Sequence, residues 1–363
     1  MTSTPAISAE EREALADAIR ELVSRRADSA SARAAMRSTP RLDRKLWDTL
    51  CTEIGVASLP IPEAYGGGGA SFVETAAVLE ELGRSLSPVP VFASALATAA
   101  ILIADDETTS RELLPSIASG ERIATVCWAD ERGWAEPGVA ADAGLLSGTA
   151  EYVLDAESSD VLVVLAGGGD TITVHTVDTD ADGITVTPLP VVDPSRALSR
   201  VTFDETPATT IPSGPDVPGR LRALARSLLA AEQVGGAGAA LDLTVDYTKS
   251  RKQFGRTIGS FQALKHRMAD MYALVETSRS IARAAVAGVV AGSPDAADLA
   301  AAAHVHCSEA FAHVAGEGIQ LHGGIGITAE HDISLFFKRA HGSAQLFGQP
   351  HEVVADLGSR VLG

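Results

Sequence analysis

Two stretches in the C-terminal half carry the residue types and spacing that could hold a cofactor. The first, Arg251–Asp270, reads RKQFGRTIGSFQALKHRMAD and combines a dibasic pair, an aromatic residue, two turn glycines and an amide. The second, Gln320–Thr328, reads QLHGGIGIT and contains two consecutive glycines. An arginine donates a fork of N–H groups, and glycine lets a backbone approach a ligand closely. We predict that the two stretches form one half of a cofactor site.

Metal chemistry is not expected. The three cysteines, Cys51, Cys127 and Cys307, are scattered and match no metal-binding or disulfide spacing. No metal-binding spacing surrounds His322, so we expect this histidine to pack or to form a hydrogen bond. The predicted metal set is therefore empty.

The charge balance bears on the kind of ligand. The formal net charge of the 363-residue chain is −18, which disfavours nucleic acid or an anionic membrane as partner because the overall field repels phosphate. A local basic pocket can still hold a nucleotide. The N-terminus is acidic and lacks the apolar segment of a signal peptide, and no apolar run reaches the length of a membrane span. We expect a cytoplasmic protein in a reducing compartment.

The first third of the sequence reads as helical. Ser8 and Glu11 have the spacing of a capping box, and a second helix is predicted over 41–54. Four glycines at 66–69 predict an irregular connection, followed by a helix over 72–82 that ends at Gly83. A phosphate-binding loop at these glycines would need a preceding strand and a following Lys-Ser or Lys-Thr, and both are missing.

The pattern changes twice further along. Short β-branched segments broken by Gly, Asp and Pro begin near Glu121 and predict antiparallel strands in a barrel or sandwich. Helical patterns return near Val217, with helices expected over 218–250, 260–291, 294–318 and 330–340. Three glycines in the first of these helices predict close packing against a neighbouring helix.

The predicted fold is therefore α+β and mostly α. An N-terminal helical domain covers 1–120, a middle antiparallel β domain covers 121–215, and a C-terminal four-helix bundle covers 216–363.

This order of elements, together with three sequence words, resembles the acyl-CoA dehydrogenase family of flavoproteins. The words are PEAYGGGGASFVETAAVLEELGR, RKQFGRTIGSFQALKHRMADM and QLHGGIGITAEHDISLFFKRA. The resemblance covers nearly the whole chain. It implies FAD as cofactor and α,β-desaturation of an acyl-CoA thioester as the reaction, with electron-transfer flavoprotein or a similar protein as electron acceptor.

The resemblance also assigns ligand contacts. In this family one chain holds the flavin ring with its β domain, while its neighbour contacts the adenosine-pyrophosphate end with the second and third words. Arg251 then donates to the pyrophosphate, Phe254 lies near the adenine or flavin tail, and amides bind the adenosine or ribityl groups. The predicted cofactor-binding residues are Arg251, Gln253, Phe254, Gln262, Gln320, Leu321, His322, Gly323 and Gly324.

The family's catalytic base is not found at either of its usual positions. That base is a glutamate in the last helical region or on the helix ahead of the R-x-x-F-G word. Phe347 and Ala225 occupy the two positions here, and neither side chain can accept a proton. Glu232 and Glu352 are nearby carboxylates that could act as unorthodox bases, although helix carboxylates are more often solvated or ion-paired.

The middle domain also departs from the family pattern. Members commonly carry a Thr-Glu-Pro segment and a later Trp-hydroxyl pair beside the flavin ring. This chain has CWADERGW in the first place, and Tyr152, Val153 and Leu154 in the second. The isoalloxazine pocket of this chain is therefore in doubt, although Tyr152 could still stack on a ring.

Three hypotheses follow. The chain resembles the non-catalytic subunit of actinobacterial α2β2 acyl-CoA dehydrogenases of the steroid side-chain type, and a second family member would then supply the glutamate. It could instead be a homotetrameric dehydrogenase with an unorthodox base. It could also be a non-dehydrogenase relative that uses flavin differently or binds an acyl thioester without reaction.

Overall fold

The computed structural model describes residues 8–26, 29–168 and 171–362. The prediction that the N-terminus is not a signal peptide rests in part on residues 1–7, which lie outside these ranges.

Helices form the N-terminal part of the chain. The predicted capping box is present, since Ser8 Oγ accepts from the Glu11 amide at 3.2 Å and Glu11 accepts from the Ser8 amide at 2.7 Å. The predicted end of α4 at Gly83 is wrong. Gly83 lies inside α4 because a side chain there would collide with the Glu232 carbonyl, so glycine serves helix packing rather than helix termination. The helices are α1 (Ala9–Arg26), α2 (Ser29–Ala35), α3 (Arg44–Thr49), α4 (Phe72–Ser85), α5 (Val91–Ala104) and α6 (Glu107–Ala118).

The middle of the chain forms a mainly antiparallel sheet with the small β2–β3 hairpin beside it, and a second small hairpin, β11–β12, follows α7 (Val217–Ser250). The order of hydrogen-bonded strands is β10-β7-β6-β4-β5-β9-β8, and β1 pairs with β6 off this path. Strands β1 and β4 both run parallel to β6, which the prediction of antiparallel strands did not include. The strands are β1 (Ala124–Cys127), β2 (Ala129–Asp130), β3 (Gly133–Pro137), β4 (Val139–Asp142), β5 (Leu145–Leu154), β6 (Val161–Gly168), β7 (Thr171–Asp178), β8 (Ile184–Pro188), β9 (Leu198–Pro207), β10 (Thr209–Ile211), β11 (Lys252–Gln253) and β12 (Arg256–Thr257).

Three long helices and two shorter ones complete the chain. Close helix packing at the predicted glycines is confirmed. A Cβ on Gly235 would lie 1.8 Å from the Glu80 carbonyl oxygen of α4, and one on Gly236 would lie 2.5 Å from the Phe311 ring. Any larger residue at these positions would push the helices apart. The helices are α7 (Val217–Ser250), α8 (Gln262–Ala291), α9 (Ala296–His322), α10 (Ile333–Ser343) and α11 (Pro350–Leu362).

The predicted fold class is confirmed: a helical N-terminal part, a central sheet and a helical C-terminal part. The domain limits at 120 and 215 stay predictions. Within the described ranges, no helix combines the length and apolar character needed to cross a bilayer, and no cluster of three or more His, Cys, Asp or Glu has the arrangement of a metal site. All three cysteines are buried and free.

Candidate functional site

The R-x-x-F-G word forms a short hairpin, which we call the basic hairpin (residues 251–257). Helix α7 ends at Ser250, and β11 pairs with β12 through Gln253 opposite Arg256. The two-residue turn consists of Phe254 and Gly255, both with positive φ, 52° and 78°. Two positive φ angles are the requirement of a type I′ turn, and the second is available to glycine without strain. This turn places Phe254 at the tip, with its side chain 92% exposed.

The basic hairpin is supported by Phe261, just ahead of α8. The Arg256 guanidinium lies 4.0 Å from the centre of the Phe261 ring, and the Phe254 ring packs edge-on against the same ring at 6.2 Å. Such a cation–π contact stabilises an exposed pair by about 0.5–1 kcal/mol. The hairpin therefore has a preferred conformation while its tip stays open to solvent.

The QLHGG word lies at the end of α9, beside the end of α7. The His322 ring stacks on the Tyr247 ring at 4.4 Å, and the amide of Arg251 donates to the Tyr247 carbonyl at 2.8 Å. Tyr247 thus joins the two predicted cofactor stretches. His322 Nδ1 donates to the Gly318 carbonyl at 2.7 Å, and burial lowers the pKa of His322. His322 therefore packs against Tyr247 and forms a hydrogen bond within the protein, as the sequence predicts for this histidine. A contact between His322 and the cofactor stays a prediction.

The nine predicted cofactor-binding residues divide into an exposed and a buried group. Leu321 and His322 are buried, so they support the segment from within and do not present their side chains to solvent. After Gly323, a short 3₁₀ turn follows and the next α-helix begins only at Ile333, so no helix start immediately follows the two glycines. The exposed residues are Arg251, Gln253, Phe254, Gln262, Gln320, Gly323 and Gly324.

Both positions expected to hold the base lie in the apolar interior. Ala225 is fully buried in α7 and Phe347 is 2% exposed. The Phe347 ring lies 4.5 Å from the Trp134 ring and 6.0 Å from the Phe92 ring. The space that a catalytic carboxylate would need is therefore packed with aromatic side chains, where an unpaired charge would be costly.

The backbone at Phe347 is held in a defined turn. Phe347 has φ 60° and Gly348 has φ 105°. Arg226 Nε donates to the Phe347 carbonyl at 3.0 Å, and His304 Nε2 donates to the Gly348 carbonyl at 2.8 Å. Burial lowers the pKa of His304 to about 4, so this imidazole is neutral around pH 7. Two helices thus fix the turn that directs the Phe347 ring inward.

A cleft and a small cavity lie on the two sides of the aromatic side chains of Trp134 and Tyr152. The outer cleft has a volume of about 490 Å³ and lies between the β domain and the connection from α10 to α11. The inner cavity has a volume of about 10 Å³, room for about one water molecule. Ala225 and Phe347 both line the inner cavity. Trp134 lines both the outer cleft and the inner cavity, although the sequence does not predict it as a site residue.

Glu232, a candidate unorthodox base, belongs to a group that we call the ion cluster: Asp155, Asp193, Arg196, Glu232 and Arg339. All of these except the half-buried Asp155 are buried. The Glu232 carboxylate accepts from Arg339 and Arg196, each at 2.5 Å. Arg339 also donates to Asp193 at 2.6 Å. Two arginines therefore hold Glu232 in place, which is the ion-paired alternative that the sequence favoured for this carboxylate.

The other candidate base, Glu352, is exposed at the start of α11 and lines the outer cleft. Its carboxylate accepts from the Gln349 amide at 2.9 Å, which is the position and bond of a helix-terminal residue.

Among the described residues, Asp155 is the carboxylate of the ion cluster that has no arginine as a direct hydrogen-bond partner. Two arginines face three carboxylates, and in the described part of the chain no arginine donates directly to Asp155. Burial raises the pKa of Asp155 to about 6, against the opposing influence of Arg196 and Arg339. Burial also opposes ionisation of Asp193, but the charge of Arg339 and the Ser195 hydrogen bonds hold its pKa below the usual range.

Comparison with known proteins places this geometry in context. The model of the acyl-CoA dehydrogenase N-terminal domain matches residues 9–121, and that of the acyl-CoA dehydrogenase C-terminal domain matches 219–361. Acyl-CoA dehydrogenase IpdE2 of Mycolicibacterium smegmatis is 40% identical over 352 residues, which cover 97% of this chain and 99% of that protein.

Two solved structures are similar over nearly the whole chain. A variant of the Tcur3481-Tcur3483 steroid ACAD has a TM-score of 0.90 at 30% identity and covers 97% of this chain and 98% of its own. The ChsE4-ChsE5 complex from Mycobacterium tuberculosis has a TM-score of 0.90 at 28% identity and covers 98% of each chain.

The position of Asp155 predicts a specific pH dependence of stability. An aspartate with a raised pKa in the folded protein destabilises it as pH rises from about 4, where the unfolded chain ionises, to about 6, where the folded chain ionises. Asp155→Asn is expected to raise the free energy of unfolding by about 1–3 kcal/mol at pH 7.5 and by little at pH 4. Denaturant unfolding at a series of pH values measures this difference.

Asp193→Asn is the matched control with the opposite sign. It removes a carboxylate whose charge is compensated, and should lower stability at pH 7.5, with a smaller loss at low pH. An Asp155→Asn variant that is less stable than the wild type at pH 7.5 would contradict the prediction.

Proposed function

The chain belongs to the acyl-CoA dehydrogenase family, and from that premise we propose that it is the non-catalytic subunit of an FAD-dependent heteromer. It contributes the adenosine-pyrophosphate half of an FAD site, and a second family member supplies the catalytic glutamate. The reaction is α,β-desaturation of an acyl-CoA thioester, and a steroid side-chain CoA is the proposed substrate class.

The observation that carries this proposal is that apolar, buried side chains occupy both base positions. Proton abstraction from the α-carbon needs a carboxylate within hydrogen-bond reach of the substrate. The Phe347 ring and the Ala225 methyl group stand there instead, both in the buried core. Of the two other candidates, Glu232 is bound by two arginines, and Glu352 accepts from the Gln349 amide at the exposed start of α11. A self-sufficient homotetramer is therefore the weaker alternative.

The residues fit one half of FAD and not the other. At Gly323 and Gly324 a Cβ would meet no atom of the described chain within 4 Å, so the backbone is open to a phosphate-bearing ligand. The exposed Arg251 and Phe254 supply a guanidinium and an aromatic face nearby. Around Trp134 and Phe347, by contrast, the inner cavity has room for about one water molecule. This contrast supports a site divided between two chains.

Bound FAD would supply the hydride acceptor for the β-hydrogen of the thioester. The role of this chain would be to bind and orient the adenosine-pyrophosphate end of FAD. Arg251 would neutralise pyrophosphate charge, Phe254 would cover the flavin tail, and the glycines would bring backbone close to phosphate. Tyr247 and His322 keep the two segments at a fixed distance from each other, so both can contact one ligand.

The two similar solved structures support the heteromer. The ChsE4-ChsE5 structure is a complex of two proteins, and the Tcur3481-Tcur3483 steroid ACAD structure is named for two proteins. The proposed partner is a second acyl-CoA dehydrogenase-like chain in an α2β2 assembly, and the proposed electron acceptor is electron-transfer flavoprotein or a similar protein.

Turnover measurements test the proposal directly. The chain purified alone should oxidise acyl-CoA substrates no faster than background, because the base is missing. Co-expression with a family member that carries the glutamate should restore dye-linked dehydrogenase activity. Activity of the isolated chain at the rate of the co-expressed pair would overturn the proposal.

The basic hairpin offers a second test in the co-purified complex. Phe254→Ala and Arg251→Ala should each weaken FAD retention by about tenfold or more, a loss of about 1.4 kcal/mol or more in binding free energy. Both side chains are exposed, so the unfolding temperature should not change. Equilibrium dialysis followed by flavin absorbance measures the retained cofactor.

Lys252→Ala is the matched control on the same hairpin. Lys252 is equally exposed but is not among the predicted cofactor-binding residues, so its truncation should change FAD retention far less. Equal losses for all three variants would indicate a general effect of positive charge or hairpin order instead of a defined contact.

A further inference from the structure

Trp134 and Tyr152 form a wall between the outer cleft and the inner cavity. They are the two residues that line both spaces. The Trp134 ring lies 6.4 Å from the Tyr152 ring and 4.5 Å from the Phe347 ring. The indole therefore lies between the cleft of about 490 Å³ and the positions of Ala225 and Phe347.

The backbone that carries this indole is anchored independently of the ring. Trp134 is the second residue of β3 in the β2–β3 hairpin, and Arg222 Nη2 of α7 donates to its carbonyl at 3.0 Å. The Arg222 guanidinium also lies 5.1 Å from the Trp128 ring centre. Shortening the Trp134 side chain leaves these contacts in place, so the hairpin should keep its position.

A second observation points to a ligand in the space behind the wall. Trp128 lines the inner cavity and is 2% exposed, and within the described chain its indole N–H has no hydrogen-bond acceptor. An unpaired buried donor costs about 1–3 kcal/mol. A heteroaromatic ring with an acceptor atom could relieve this cost, but the Trp134 side chain occupies the space such a ring would need.

We propose that Trp134 is a specificity-determining residue that excludes a flavin ring from this chain. Its indole fills the interior between the β domain and α7 that a planar heteroaromatic ligand would otherwise enter from the outer cleft. This inference rests on the proposed function, because it explains why the ring half of the cofactor would lie with the partner chain. Removal of the indole would join the cleft to the inner cavity.

Removal of the indole would add its volume to the outer cleft of about 490 Å³. Apolar cavities of about 150 Å³ made by truncating a core side chain stay dry and bind small aromatic molecules. The enlarged space would be lined by Phe347, Trp128 and Tyr152, three aromatic side chains that can stack on a flat ring.

Lumiflavin, the ring system without a phosphate tail, is the probe that tests the proposal. It is titrated into the purified full chain and followed by quenching of flavin fluorescence. Trp134→Ala should bind lumiflavin at least about tenfold more tightly than the wild type. Tyr272→Ala truncates an exposed aromatic residue on α8 that lines neither space, and should bind no better than the wild type.

Two outcomes would overturn the proposal. One is a wild-type chain that binds lumiflavin as tightly as Trp134→Ala. The other is a folded Trp134→Ala chain, with wild-type circular dichroism and cooperative unfolding, that binds no better than the wild type. Trp134→Leu is the second variant, because leucine is smaller than the indole but keeps the site apolar. If the alanine variant folds poorly, the leucine variant should still bind lumiflavin more tightly than the wild type.

Failure here is distinguishable from failure of the proposed function. A Trp134→Ala chain that does not bind lumiflavin refutes the role of Trp134 while the heteromer can still hold. Turnover by the isolated wild-type chain refutes the heteromer, and that measurement uses no lumiflavin.

Discussion

The packing of the Phe347 ring against the Trp134 ring is the contact on which the functional interpretation depends. These two side chains, at 4.5 Å, occupy the interior between the β domain and the C-terminal helices. The turn that directs Phe347 inward is held by hydrogen bonds from Arg226 and His304. A dehydrogenase active site needs an open chamber with a carboxylate at this place. This chain has a packed, largely aromatic interior there, and in the proposed heteromer the partner chain supplies the carboxylate.

The ion cluster sets the position of the parts around that interior. Arg339 of α10 bonds both Glu232 of α7 and Asp193, which lies in the connection between β8 and β9. Such buried pairs contribute little net stability, but loss of one partner leaves an uncompensated charge that costs about 3–5 kcal/mol. The cluster therefore favours one arrangement of sheet and helices over others. Asp193 and Arg196 of the cluster also line the outer cleft.

Much of this arrangement could be predicted from local sequence signals. The Ser8–Glu11 capping box, the glycines of α7 and the two cofactor words each act through near neighbours or through a steric requirement that a single residue type meets. The predicted helix end at Gly83 is wrong because a glycine near the end of a helical pattern has two possible roles. It can end the helix, or it can allow another helix to approach. Only the tertiary contact with Glu232 distinguishes the two.

Other features depend on contacts between distant segments that no local pattern encodes. The parallel pairing of β1 with β6 joins strands more than thirty residues apart, and Arg339 meets Glu232 across 107 positions. Trp134 stands in a turn-rich segment with no recognisable periodicity, so its role as a wall could not be anticipated. The exposed cofactor residues stay predictions, since their proposed ligand would lie mainly on another chain.

The flavin-to-chain ratio of the co-purified complex tests the central claim most directly. Flavin absorbance after denaturation gives the amount of FAD, and quantitative amino-acid analysis gives the amount of each chain. A heteromer in which this chain supplies only the adenosine-pyrophosphate half is expected to contain one FAD for every two chains. One FAD for every chain, or a full complement of FAD on this chain purified alone, would contradict it.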